Sequence, residues 1–210
     1  MIDCDIHPQI GDPEELLSYV EPAQRDWFRQ QSSFGLPGYS WAHPSSWYRR
    51  DVEQDGRPPG TDVEAVRTDV LDPNRTDIGI LNADDAVLVS LMPSPYRAAE
   101  LARAHNDWLR ERWLDREPRL RASIICPAQD PQAAAAEIRR AAADERFAQV
   151  LLCGGSERPY GEPRYLPIFE AAVECGLPVE PAEDRTAETA RSPEDDHHIA
   201  PQPARVRRAG

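Results

Sequence analysis

Polar and apolar positions alternate from the start of the chain. In Met1-Ile2-Asp3-Cys4-Asp5-Ile6-His7-Pro8, apolar residues hold positions 2, 4 and 6 and polar ones hold 3, 5 and 7. A period of two is that of a β-strand, so Asp3, Asp5 and His7 share one face. Asp12-Pro13-Glu14-Glu15 then predicts a short helix to about Val20. Asp12 caps it, Pro13 fits its first position and Glu15 completes a capping box. Residues 30–60 show no period and are rich in Gly, Pro, Ser and aromatics. A loop of that length is either disordered or lid-like. Asp62 to Leu71 reads as a helix with Val63, Val66 and Val70 on one side.

Thr76 to Leu81 predicts the second strand, with Ala86 to Leu91 a rival for that role or a short buried helix. A long helix follows from about Tyr96 to Asp115, its stripe formed by Leu101, Ala104, Trp108, Leu109 and Trp113. Leu120 to Cys126 suits a buried strand, Asp130 caps a helix through Ala143, and Phe147 to Cys153 suits another buried strand. Pro167 opens a helix to Cys175, Gly176 stops it, and Leu177-Pro178-Val179 begins the next strand. Strands alternating with helices imply a parallel sheet with helices outside it. Short intervals and a polar-faced first strand favour a (β/α) barrel. That strand lacks the Gly-rich turn of a dinucleotide site.

The pattern breaks at Glu180. Residues 180–210 contain no Leu, Met, Phe, Trp, Tyr or Cys, and Ile199 and Val206 are their only large aliphatics. Such a segment buries too little to offset its ordering entropy, which predicts disorder. The break falls inside an expected barrel strand, an odd place for a domain boundary. The expectation is a barrel portion over 1–179, including the lid-like loop, followed by an out-of-frame or otherwise foreign tail over 180–210. A one-base slip near codon 180 in the gene is the test of that expectation.

Composition narrows the function. The 210 residues carry a formal charge of -13, which argues against nucleic acid or an anionic membrane as main partner. No apolar run reaches membrane-spanning length and no signal peptide is visible, so a cytoplasmic location is expected. Cys4, Cys126, Cys153 and Cys175 are too widely spaced for a zinc knuckle and read as small buried hydrophobes in a reduced compartment. The chain has no lysine, which excludes a P-loop lysine, a Schiff-base lysine and a carbamylated-lysine bridge. Electrophilic help must then come from a metal or from Arg.

Two carboxylates and an imidazole in register on one strand are the residue types of a metal site, with Asp5 and His7 as adjacent donors. The bland alternative is the solvated face of an amphipathic strand. Trp41 and His43, with Trp47, are candidates to line a lid over a substrate. His105 reads as structural, and Asn106-Asp107 as fixing helix packing. Gly154-Gly155-Ser156 reads as a turn, while Arg158 and Arg164 are candidates to meet a carboxylate.

Four stretches together resemble the amidohydrolase-related family, the branch that includes aminocarboxymuconate-semialdehyde decarboxylase-like enzymes. They are Ile2-Asp3-Cys4-Asp5-Ile6-His7-Pro8, Ala102-Arg103-Ala104-His105-Asn106-Asp107-Trp108-Leu109, Arg119 to Pro131, and Tyr165 to Val179. The resemblance implies a (β/α)₈ barrel of about 250 residues or more, with its site at the C-terminal ends of the strands. It places Asp5 and His7 as metal ligands, for Zn or Mn, with Asp5 standing where the family often has His. The family's next ligand is a His closing the fifth strand. Here Val179 is followed by Glu180-Pro181-Ala182-Glu183. The later catalytic His and the Asp of the eighth strand have no counterparts, and His197 and His198 lie too far on.

The expected protein is thus a partial TIM-type barrel, strands 1–4 and the start of strand 5, with a disordered tail. Its expected activity is metal-dependent hydrolysis or non-oxidative decarboxylation of a small, carboxylate-bearing molecule, impaired by truncation. The alternative is a non-catalytic half-barrel that associates with itself or another chain through its open side.

Overall fold

The computed structural model describes residues 1–30, 60–83, 89–90, 92–152, 156 and 158–181. Five strands form one sheet in the order β1-β2-β3-β4-β5, every neighbouring pair parallel. They are β1 (Ile2–Ile6), β2 (Ile78–Leu81), β3 (Leu120–Ile125), β4 (Phe147–Leu152) and β5 (Val179–Pro181). Helices α1 (Pro13–Leu17), α2 (Pro22–Gln30), α3 (Val63–Val66), α4 (Pro95–Leu109), α5 (Pro131–Ala141) and α6 (Leu166–Glu174) connect them. Sequential parallel order with intervening helices is the winding of a TIM-type barrel, here a curled half of one.

The expected long elements form where their patterns place them. Asp130 Oδ1 accepts the backbone N–H groups of Gln132 and Ala133, capping α5 beside Pro131. Leu101, Ala104, Trp108 and Leu109 are buried along α4, and Trp113 in the π-turn Arg110–Leu114 that prolongs it. A second π-turn, Arg67–Leu71, prolongs α3. Gly176, at φ 68°, ends α6 in the left-handed region. Strand residues Leu81, Leu120, Ala122, Ile124, Val150 and Leu152 alternate onto the helix-covered face and are all buried. Gly79 keeps β1 and β2 close on that face, because a Cβ there would lie 2.6 Å from Ile6 Cδ1.

Several local expectations change. Glu15 does not close a capping box. Its carboxylate leaves the helix end to accept from Trp108 Nε1 (3.2 Å) and from Arg112 Nε, pinning α1 to α4. Asp12 caps α1 alone, through Glu14 N–H. Helix α2 has no counterpart in the sequence reading, since Trp27 and Phe28 are its only large apolar residues. Phe28 is buried, with Trp27 edge-on to it at 5.1 Å and the Arg97 guanidinium on the Trp27 ring at 3.5 Å.

Cysteine burial splits. Cys126 is buried and Cys175 half-buried, but Cys4 is exposed. Ile2 is likewise 61% exposed, while Ile6 is buried at 6%. Both exposed residues lie on β1, at the edge of the described sheet. Of the rival segment Ala86 to Leu91, residues 89–90 are described and are helical, and β2 is Ile78–Leu81. Strand β5 includes Glu180 and Pro181, two residues past the expected boundary, paired to Leu151 and Leu152. The lid-like loop, apart from Gln30 and Gly60 at its ends, lies outside the described residues, as does the tail from residue 182.

Candidate metal centre

The register of β1 against β2 shifts between Asp3 and Ile6, and past the shift Asp5 and His7 flank the buried Ile6 at the C-terminal end of the strand. The Asp5 carboxylate Oδ1 lies 3.1 Å from His7 Nε2, with the two side chains 71% and 44% exposed. The other ring nitrogen, His7 Nδ1, is 3.0 Å from the main-chain oxygen of Asn82, one residue beyond β2. A carbonyl oxygen only accepts, so Nδ1 carries the proton in that bond. A neutral His7 therefore turns its Nε2 lone pair towards the carboxylate. Two acceptors that close call for a cation, either a proton on Nε2 or a metal ion that both ligate.

The donor types fit a divalent metal. Imidazole plus carboxylate suits Zn²⁺ or Mn²⁺. A ligating His typically gives its second N–H to a carbonyl or carboxylate, as His7 does to Asn82. The set supplies two arms, whereas a catalytic zinc usually has about three protein ligands. No group of three His, Cys, Asp or Glu side chains converges among the described residues. Asp3 stays outside the pair, its Oδ1 accepting the Asp5 backbone N–H at 3.2 Å.

Beside the pair runs a line of polar side chains, from the residue that follows β2 and then from β3, β4 and β5, that sequence reasoning missed. Asn82 Nδ2 donates to Asp5 Oδ1 and to the Cys4 carbonyl, both at 3.1 Å. Ser123 Oγ on β3 donates to Asn82 Oδ1 at 2.5 Å. Gln149 Nε2 on β4 donates to Ser123 Oγ at 2.9 Å and to the Glu180 carboxylate on β5. Asn82 and Ser123 are buried. The available signal was a lone polar residue within or ending an otherwise apolar parallel strand, where both faces are normally apolar.

The remaining candidates separate. His105 is fully buried in α4, its Nδ1 2.9 Å from the Leu101 carbonyl, which is a structural position. Asn106 fixes packing as expected. Its Oδ1 accepts from Ile125 N–H (2.9 Å), and its Nδ2 donates to the Ile125 carbonyl (2.8 Å) and to Glu137 Oε1 (2.7 Å). Arg158 and Arg164 are exposed, and the Arg164 guanidinium lies over the Tyr165 ring at 5.3 Å. Trp41, His43, Trp47, Gly154 and Gly155 fall outside the described residues. No helix among the described residues is long and apolar enough to cross a membrane.

Comparison with known proteins bears on the fold and the family. The chain is 36% identical over 127 residues to gamma-resorcylate decarboxylase of Rhodococcus jostii, an alignment covering 56% of this chain and 38% of the relative. The structure of 2,6-dihydroxybenzoate decarboxylase from Rhizobium superposes with a TM-score of 0.59 at 22% identity, over 93% of this chain and 52% of that one. The 5-carboxyvanillate decarboxylase of Novosphingobium aromaticivorans, complexed with manganese and 4-hydroxy-3-methoxy-5-nitrobenzoic acid, gives a TM-score of 0.59 at 23% identity. That superposition covers 85% of this chain and 48% of the other. At these identities the structural likeness is one of fold. The chain matches about two-fifths of the curated relative and about half of each solved structure. The sequence pattern of the amidohydrolase family matches residues 2–203, running well into the segment after β5, and the chain belongs to that family.

Proposed function

We propose that this chain carries the first part of a divalent-metal site for non-oxidative decarboxylation of a hydroxylated aromatic carboxylate, with Asp5 and His7 as ligands. The observation that carries this reading is the Asp5–His7 pair, set 3.1 Å apart with the second imidazole nitrogen tied to the Asn82 carbonyl. The likeness to gamma-resorcylate, 2,6-dihydroxybenzoate and 5-carboxyvanillate decarboxylases supports decarboxylation over hydrolysis. A bound divalent ion would polarise the phenolate and carboxylate oxygens of the substrate. The chain's own residues hold that position. Asp5 supplies the negative charge, His7 the neutral nitrogen, and Asn82 the fixed ring orientation. The overall change replaces the carboxylate by a proton on the same ring carbon and releases carbon dioxide.

A second reading is a non-catalytic half-barrel that pairs with another chain. It is favoured by the exposed Ile2 and Cys4 of β1, at the edge of the described sheet. One preparation separates the two. The purified chain is loaded with Mn²⁺ or Zn²⁺, its metal content and oligomeric state are measured, and carbon dioxide release from 2,6-dihydroxybenzoate is followed. The proposed site takes up about one metal per chain, lost in Asp5→Ala and His7→Ala. Carbon dioxide release that disappears with the metal establishes the activity. Metal uptake indifferent to both substitutions removes the site. An associated, metal-free and inactive chain favours the second reading.

A further inference from the structure

We infer that Asn82 is a positioning residue that orients both arms of the Asp5–His7 pair at once, with Ser123 fixing the direction of its amide. This inference rests on the metal site proposed above and goes beyond it, since no ligand role is assigned to Asn82 itself.

Asn82 sits one residue past β2, beside the end of β1, and uses its polar groups across that junction. Its backbone N–H donates to the Ile6 carbonyl at 2.8 Å. Its backbone carbonyl receives His7 Nδ1–H at 3.0 Å. Its side-chain Nδ2 donates to the Cys4 carbonyl and to Asp5 Oδ1, both at 3.1 Å. An amide nitrogen has two hydrogens, and these two acceptors use both. The amide oxygen accepts from Ser123 Oγ at 2.5 Å, with Gln149 Nε2 3.5 Å away.

The amide can face only one way. Turned over, Oδ1 would lie against the Cys4 carbonyl and the Asp5 carboxylate, leaving two close acceptor pairs with no proton between them. Asn82 is 7% exposed, so water does not readily replace these partners. The residue therefore fixes the direction of Asp5 Oδ1, the carboxylate oxygen that also faces His7 Nε2. Through its backbone it also makes Nε2 the unprotonated ring nitrogen of a neutral His7. A partner that fixes ligand orientation in this way commonly accounts for about 10- to 100-fold in metal affinity.

The test uses the full chain, with Mn²⁺ as the probe and its binding read by the electron paramagnetic resonance signal of the free ion. Asn82→Leu keeps the volume and removes both donors. The expected result is Mn²⁺ binding weakened about tenfold or more, with a smaller loss in Ser123→Ala, which keeps the amide but frees its direction. Circular dichroism identifies a variant that has lost its fold, and Ser123→Ala carries the test if Asn82→Leu does not fold. Wild-type affinity in both variants, with Asp5→Ala abolishing binding, overturns the inference and leaves the metal site standing. If the wild-type chain binds no Mn²⁺, the metal site itself fails. Hydrogen exchange of the Asn82 side-chain amide in the metal-free chain then decides the inference. Exchange sped up by Asp5→Ala supports the coupling, and exchange unchanged by it overturns the coupling.

Discussion

Single residues near the pair are under backbone as well as side-chain constraint. Gly60 has φ 83°, in the left-handed region, and its carbonyl accepts Gln9 N–H at 2.7 Å. A Cβ at that position would lie 2.6 Å from the His7 main-chain oxygen. Backbone cannot swing aside as a side-chain tip does, so Gly60→Ala meets both a conformational cost of about 1–2 kcal/mol and a clash aimed at His7. The expected outcome is a lower thermal midpoint together with weaker Mn²⁺ binding. A variant matching wild type in both would show that residues 60 and 7 are not coupled. Little of this was readable beforehand. The types and spacing of Asp5 and His7 follow from period-two alternation, but the approach of Gly60 joins positions 53 apart and has no local signature.

At the level of elements, polar side chains join helices to strand ends. Asn106 on α4 meets both backbone groups of Ile125 at the end of β3 and reaches Glu137 on α5. Glu137 is held in turn by Arg140, which also bonds Asp107. The sequence placed Asn106 and Asp107 as residues that fix helix packing. It could not name their partners, which lie on other elements. Asn106→Ala leaves a buried N–H, a buried C=O and a carboxylate short of a partner. The expected destabilisation is about 3 kcal/mol, read as a drop in the denaturant midpoint at unchanged m-value. A loss under about 0.5 kcal/mol would mean that water takes over these bonds. Helix α2 shows the reverse limit, since it forms on two aromatic contacts that are too few to mark a period.

Across the whole molecule, ion pairs just before the starts of β3 and β4 tie stability to pH. The Arg119 guanidinium beside Glu117 holds that buried carboxyl below the ordinary carboxylate range, with the Arg119 backbone N–H and Arg67 adding to the effect. Arg146 does the same for Asp144. The folded chain thus binds these protons less readily than the unfolded chain. Their contribution to stability is complete above the ordinary range, about pH 4, and is lost as pH falls through and below it. Thermal midpoints measured down a pH series should fall below about pH 4, and Arg119→Met should lower the midpoint at pH 7 more than at pH 3. An equal loss at both values would remove the charge pairing as cause. These pairs sit away from the Asp5–His7 face, so acid sensitivity of the fold and of the site are separate measurements.

Local pattern by itself determined the alternation of strands and helices, the parallel half-barrel and the Asp5–His7 face. Those follow from the periods of strand and helix and from caps such as Asp130-Pro131, all of which act over a few residues. Tertiary structure alone decided what stands behind that face. Asn82, Ser123, Gln149 and Glu180 meet because parallel strands set residues from distant parts of the chain side by side, and burial then obliges each polar group to find a partner. The same closure of distance exposed Cys4, made α2 a helix and turned Glu15 away from its own helix end.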